Sequence, residues 1–249
     1  FNEDKFTYTL NVSNEITKLY ASDVIAVAKY DTSTVYLDED LDLSTKTTNT
    51  FNVKVLAKDG FTTQIYKINV IRAKNDNNNL SILETKLDGQ ILSLTPQFDK
   101  DTLQYFVSLP EGTENIEIIA NVENEEATVS GIGIKNIQVG ENSFEIVVTA
   151  ENGNKKTYKL IATRPANTNT FLSSLVPSIG TLTPEFNKNI LEYTVEVENE
   201  DYYISFEATP ESKLSTVTGT EETYIEDGEN IREIVVTSED GNTKKYTVK

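Results

Sequence analysis

Leu182-Thr183-Pro184-Glu185-Phe186, followed by Tyr193-Thr194-Val195, repeats Leu94-Thr95-Pro96-Gln97-Phe98 and Tyr105-Phe106-Val107 from 88 residues earlier. A third copy opens the chain, where Phe1 and Tyr8 keep the spacing of Phe98 to Tyr105 and of Phe186 to Tyr193. A period of this length marks an array of similar folding units. The 249 residues therefore divide into three copies of roughly 75–90 residues each. Units that small bury modest cores and depend on good strand pairing.

Within the second copy, Leu103, Tyr105, Val107 and Leu109 alternate with polar neighbours, the period-2 mark of a half-buried strand. Ile116, Ile118, Ala120 and Val122 predict the next strand, Phe144, Ile146, Val148 and Ala150 another, and Tyr158, Leu160 and Ala162 the last. Asn152-Gly153 between the last two is a hairpin signal. The first copy offers Phe6, Tyr8, Leu10 and Val12, then Val24, Ala26, Ala28 and Tyr30 as a predicted strand. Phe51, Val53, Val55 and Ala57 follow, then the turn Asp59-Gly60, then Tyr66, Ile68 and Val70. The third offers Leu191, Tyr193, Val195 and Val197, then Ile204, Phe206 and Ala208, and a hairpin from Ile234 and Val236 through Asp240-Gly241 to Tyr246 and Val248. Arg232 stands where its siblings have Phe144 and Phe51, and the position at a strand start predicts a side chain that snorkels to the rim. The recurrent tyrosines read as core-filling rings whose hydroxyls bond at the edge of the core. No window reads as an amphipathic helix. Short strands at regular spacing, parted by Gly- and Asn-rich turns, predict an all-β chain of two-sheet sandwiches.

Two polar stretches without apolar periodicity, 74–79 and 165–170, read as linkers between units at 1–73, 80–164 and 171–249. Such short linkers predict units that follow one another end to end in an extended array. The first unit lacks the leading strand that Leu80–Leu83 and Leu172–Leu175 begin in its siblings. Phe1 falls inside a repeat and Lys249 inside a final strand, so the chain reads as part of a longer polypeptide whose neighbouring domains are among its partners.

Forty acidic residues against 22 basic ones give a net charge of −18. That balance excludes nucleic acid, whose phosphates need a basic footprint, and disfavours anionic membrane surfaces. No apolar run approaches a membrane span, so membrane insertion is excluded as well. His, Cys, Met and Trp are all absent. With them go Ser–His and Cys nucleophile chemistry, thiolates, disulfides and the commonest zinc ligand. Gly131-Ile132-Gly133 reads as a strand-edge turn, with neither the Gly-Lys-Ser pattern nor the helix of a phosphate loop. Forty acids make carboxylate pairs too common to signal glycoside hydrolysis. The expectation is a chain with no catalytic residues.

The repeated pattern resembles the cadherin-like β-sandwich domain found in tandem in bacterial surface and secreted proteins. The third copy carries it in Leu172-Ser173-Ser174-Leu175, Gly180-Thr181-Leu182-Thr183-Pro184-Glu185-Phe186, Tyr193, Gly228-Glu229-Asn230, Val236-Thr237-Ser238-Glu239-Asp240-Gly241 and Lys245-Tyr246-Thr247-Val248. The second carries it in Leu80-Ser81-Ile82-Leu83, the Leu-Thr-Pro turn, Gly140-Glu141-Asn142 and Asn152-Gly153. In the first copy the resemblance is weaker, without the Gly-Glu-Asn turn and with extra residues around Ser13–Ser22. These are turn and core residues without chemistry. What the resemblance implies is a non-catalytic extracellular stalk, spacer or adhesion module of a bacterial surface protein, with a host-cell or matrix protein or a glycan as partner. The sequons Asn11-Val12-Ser13 and Asn79-Leu80-Ser81 are then accidental.

No cofactor is expected, with calcium the one candidate ion. Asp38, Glu39, Asp40 and Asp42 group four carboxylates in five residues, hard oxygen ligands that suit Ca²⁺. Asp76 lies in an Asn-rich linker that resembles the interdomain calcium motif of animal cadherins but carries a single carboxylate. Tyr20, Tyr36, Phe61, Tyr203 and Tyr224 fall outside the repeat pattern and are scattered over the chain, which weighs against one sugar-binding face. Two alternatives stay open at this point. One is a carbohydrate- or protein-binding accessory module of a larger secreted enzyme. The other is a fibre subunit in which a neighbouring chain donates the strand the first copy lacks.

Overall fold

The computed structural model describes residues 1–44, 48–198 and 200–249. It is all-β, and among the described residues the one helical element is a three-residue 3-10 turn, Ala21–Asp23. The alternating series become strands because each places its apolar side chains on one face of a pleat. The second copy builds two four-stranded sheets. Gly140–Thr149 and Lys155–Arg164 form the hairpin, Gln104–Ser108 lies parallel to the latter, and Asn115–Val122 belongs to the opposite sheet with Leu80–Leu87. In the third copy Glu192–Val195, Thr243–Val248 and Arg232–Thr237 share a five-stranded sheet, while Leu172–Pro177 pairs with Phe206–Pro210. In the first, Thr7–Val12, Thr63–Arg72, Thr48–Leu56 and Thr34–Leu37 make one sheet, and Lys18–Leu19 pairs with Leu41–Asp42 outside it.

The predicted hairpin turns carry left-handed glycines, Gly60 at φ 73°, Gly153 at 92° and Gly241 at 84°, where a side chain would be strained. Arg232 behaves as its position predicts: Nε donates to Gly219 O at 2.9 Å and the guanidinium meets the Glu221 carboxylate at 3.1 Å, at the rim. The opening residue of each first series, Phe6, Leu103 and Leu191, stays exposed.

One predicted strand is corrected. Val24 to Tyr30 joins no ladder, although Val24, Ala26 and Ala28 are half-buried and Ile25 and Val27 are exposed as alternation requires. Alternation encodes which face is buried; a strand also needs a neighbour, and in the siblings that neighbour is the leading strand the first copy lacks.

The chain divides into two compact units. The first comprises Phe1–Ile82, Ala120–Ser130 and Ile146–Thr157. One of its cores is Leu43, Phe51, Val53 and Val70. The second comprises Leu83–Ile119, Gly131–Glu145 and Tyr158–Lys249, and one of its cores is Leu172, Leu175, Tyr193, Ile204, Phe206, Ile234, Val236, Tyr246 and Val248.

Candidate functional site

Each unit contains one meeting of a repeat with the next, built from the same parts. In the first unit Arg72 ends the strand Thr63–Arg72 and is only 7% exposed. Its guanidinium meets Glu151 Oε1 at 3.3 Å and donates to Asn14 O at 3.2 Å. The other Glu151 oxygen accepts the Asn75 N–H at 2.8 Å, and Asn152 N–H donates to Asn75 O at 3.0 Å. In the second unit Arg164, also 7% exposed, pairs with Glu239 Oε1 and donates to Thr113 O at 3.5 Å. Glu239 Oε2 accepts the Asn167 N–H at 2.9 Å, and Asp240 N–H donates to Asn167 O at 3.3 Å. The likeness extends to a buried arginine Nε with no partner among the described residues in either copy. The Arg164 hydrogen bond first, then the Asn167 N–H, hold the Glu239 carboxyl below its usual range.

The linkers are hydrogen-bonded along their length. Asn77 N–H donates to Asn75 Oδ1 at 2.7 Å and Asn79 N–H to Asn77 Oδ1 at 2.9 Å, while both side-chain amides donate to Glu123. In the second linker Asn169 N–H donates to Asn167 Oδ1, Phe171 N–H to Asn169 Oδ1, and the Asn169 amide to Glu211. Asparagine suits this role because its carbonyl accepts from a backbone N–H two residues on and its amide remains free to donate. These bonds brace the backbone of each linker.

Three of the residues picked out as calcium ligands have separate hydrogen-bond partners. Asp38 accepts from the backbone and side-chain nitrogens of Asn52 at 2.9 and 2.8 Å. Asp40 accepts the Ala21 N–H at 2.9 Å and pairs with Lys18 at 3.0 Å, which together hold its carboxyl below the ordinary range, the Ala21 N–H most. Asp42 accepts the Ser44 N–H at 2.7 Å, and Glu39 and Asp76 are exposed. Among the described residues no group of three or more acids comes close enough to hold a metal ion.

The aromatic residues outside the repeat pattern are less scattered than the sequence suggests. Tyr203 and Tyr224 face each other across the two-stranded pairing of Tyr203–Ile204 with Thr223–Tyr224, their centroids 5.6 Å apart edge to face. Tyr202, which sequence reasoning passed over, lies near-parallel to Tyr224 at 6.4 Å. The three rings are 57%, 57% and 54% exposed in chain order. The corresponding cross-strand pair in the second copy is Asn115 with Asn136, and in the first Lys18 with Asp42. The fold therefore does without tyrosines there. Tyr224 also lines a cavity of about 590 Å³ with Glu196, Glu229, Asn230 and Arg232. Tyr20, Tyr36 and Phe61 are exposed elsewhere in the chain.

A family model described as "Cadherin-like beta sandwich domain" matches residues 83–165 and 172–249, more than half of the chain. None of the curated proteins matches it. Among solved structures the chain is similar to Drosophila N-cadherin EC1-3, at 10% identity over 97% of this chain and 96% of that chain, with a TM-score of 0.35. Human CDH23 EC21-23 is similar at 9% identity over 97% and 96%, with a TM-score of 0.31. The Protocadherin GammaB4 extracellular domain is similar at 11% identity over 98% of this chain, which spans 48% of that one, with a TM-score of 0.26. At TM-scores of this size the structural likeness adds no weight, and the family match stands on its own.

Proposed function

The chain belongs to the family of cadherin-like beta sandwich domains, and from that premise we propose that it is a non-catalytic, extracellular spacer or adhesion module of a bacterial surface protein. Its domains are 1–73, 80–164 and 171–249, joined by linkers 74–79 and 165–170. The observation that carries the reading is the duplicated Arg–Glu–Asn meeting of Arg72, Glu151 and Asn75, and of Arg164, Glu239 and Asn167. An enzyme needs one preorganised reactive site; this chain instead repeats a device that holds successive repeats together.

Strand order supports the same reading. Thr7–Val12 lies parallel to the end of its repeat's last strand, Lys67–Arg72, as do Gln104–Ser108 to Lys159–Thr163 and Glu192–Tyr193 to Thr247–Val248. In the first repeat, whose first strand is Thr7–Val12, a pull on the two ends loads all the hydrogen bonds of that ladder together rather than one after another. Stretched from its two ends, the chain is expected to resist and then lengthen in discrete steps, one per repeat. Smooth extension without steps, or turnover of any member of a glycoside, ester and peptide panel, would refute the reading.

The tyrosine cluster favours a second reading, a carbohydrate-binding accessory module. Flat exposed rings offer stacking surface, and the carboxylates and amide beside them would accept from and donate to hydroxyls. Tyr224→Ala is then expected to abolish glycan retention while shifting stability by no more than about 0.5 kcal/mol, as for a surface position. Silence of the wild-type chain on a glycan array removes this reading.

A further inference from the structure

Backbone bonds identify the counterparts of Tyr202, Tyr203 and Tyr224 in the other repeats. Ile225 N–H donates to Tyr202 O at 3.0 Å, as Ile137 N–H does to Glu114 O and Leu43 N–H to Thr17 O, both at 2.8 Å. The pairing of Tyr203 with Tyr224 is therefore that of Asn115 with Asn136 and of Lys18 with Asp42. Glu114, Asn115 and Asn136 are exposed although another repeat follows theirs, so exposure at this place survives a following repeat. Only the third repeat puts rings there, all three more than half exposed and in mutual contact.

The ground around the rings carries one sign of charge. Four acids lie between Glu196 and Asp201, just ahead of Tyr202, and five between Glu221 and Glu229, around Tyr224. Over residues 194–231 the one basic residue is Lys213, and Arg232 is committed to Gly219 O and the Glu221 carboxylate. Glu222 and Glu226 stand two residues either side of Tyr224, the spacing that shares one face of an extended segment.

The first repeat shows what such ground accepts. There Lys18 holds the place of Tyr203, its ammonium 3.0 Å from the Asp40 carboxylate and 4.9 Å from the centroid of the Tyr20 ring. Lys29 likewise lies 6.0 Å from the centroid of Tyr30. Among the described residues no lysine or arginine stands over Tyr202, Tyr203 or Tyr224. The third repeat thus offers ring faces and carboxylates without an ammonium of its own.

We infer, resting on the carbohydrate-binding reading above, that the face of Tyr202, Tyr203 and Tyr224 binds a glycan of amino sugars whose amines are free. The protonated amine is drawn to a ring face and to the carboxylates around it. The apolar face of the sugar stacks on a neighbouring ring, a use of three contiguous rings that a single lysine side chain does not make. The same carboxylates repel glycans of acidic sugars.

The test titrates the intact chain with a glucosamine hexasaccharide and with its fully N-acetylated counterpart. It is run at about pH 6, where Asp and Glu are ionised and the sugar amines are protonated. The free-amine form is expected to bind about tenfold tighter, the margin shrinking as salt is raised to about 1 M. Glu222→Gln with Glu226→Gln keeps the rings and is expected to weaken the free-amine form alone, bringing the two affinities together. Tyr224→Ala is expected to abolish binding of both. Equal affinity in the unmodified chain overturns the inference and leaves the carbohydrate-binding reading standing. Failure of both hexasaccharides to bind overturns the inference, and silence on the glycan array then removes that reading as well. Free-amine binding that is unchanged by Tyr224→Ala, or matched by hexalysine, also overturns it, because charge alone then suffices.

Discussion

Tyr193→Ala is expected to destabilise the third repeat by about 3–5 kcal/mol, the cost of emptying a large aromatic site that cannot collapse. The Tyr193 ring is buried in a core with Leu172, Leu175, Phe206 and Tyr246. Its hydroxyl donates to Asn187 O at 2.6 Å and accepts the Asn187 N–H at 3.1 Å, closing the loop six residues upstream on itself. The same double bond joins Tyr105 to Asp99 and Tyr8 to Asn2, so the tyrosine pins the same loop in all three copies. Tyr193→Phe separates the two contributions. It keeps the ring and strips the loop of its partner, and about 1 kcal/mol of loss is expected, the net worth of such a bond. A denaturant titration of the alanine variant that overlays the wild type would mean the strand register is wrong.

Glu239→Gln should cost nearly as much, about 3 kcal/mol, at the low end for breaking a buried pair because the carboxylate is partly open to solvent. One glutamate oxygen accepts from Arg164 and the other from the Asn167 N–H. A glutamine turns an NH₂ toward one of those donors and leaves the buried guanidinium without a counter-charge. Glu233→Gln is the control: Glu233 meets Lys245 at 2.8 Å with both side chains largely exposed, and its loss should leave the unfolding midpoint in place. Acid discriminates further. The folded Glu239 carboxyl titrates below its ordinary value near 4.5, so its contribution is complete above that pH and disappears as pH falls through the folded value. The wild type and Glu239→Gln should therefore differ by a constant amount between neutrality and mildly acidic pH and converge in stronger acid. A gap that persists unchanged at low pH would show that charge has no part in it.

Much of the fold was legible because a pleat writes itself into sequence at period 2. Strands Gln104–Ser108, Gly140–Thr149 and Lys155–Arg164 formed over the alternating series, and Asp59-Gly60, Asn152-Gly153 and Asp240-Gly241 became turns because a left-handed residue is needed there. The same reasoning overreached at Val24 to Tyr30. The alternation was real and the half-buried face is there, but a strand is a property of two segments and the second was missing. The Arg–Glu meetings left a trace in the sequence as well, one that the strand and turn patterns did not pick out. Arg72 and Arg164 each stand two residues past the last inward residue of a final strand, and Glu151 and Glu239 each directly precede a hairpin turn. A repeated pair of unexplained charges was the available signal.

By itself, then, the amino-acid order determined the faces, the turns and the threefold repetition, since each of these depends on neighbours a few positions away and on the steric rules of the backbone. Tertiary structure decided which carboxylate neutralises which guanidinium, that Tyr203 meets Tyr224, and which nitrogens Asp38, Asp40 and Asp42 accept from. Those outcomes depend on segments tens of residues apart arriving at the same place, and no local pattern of polarity records where another segment will lie.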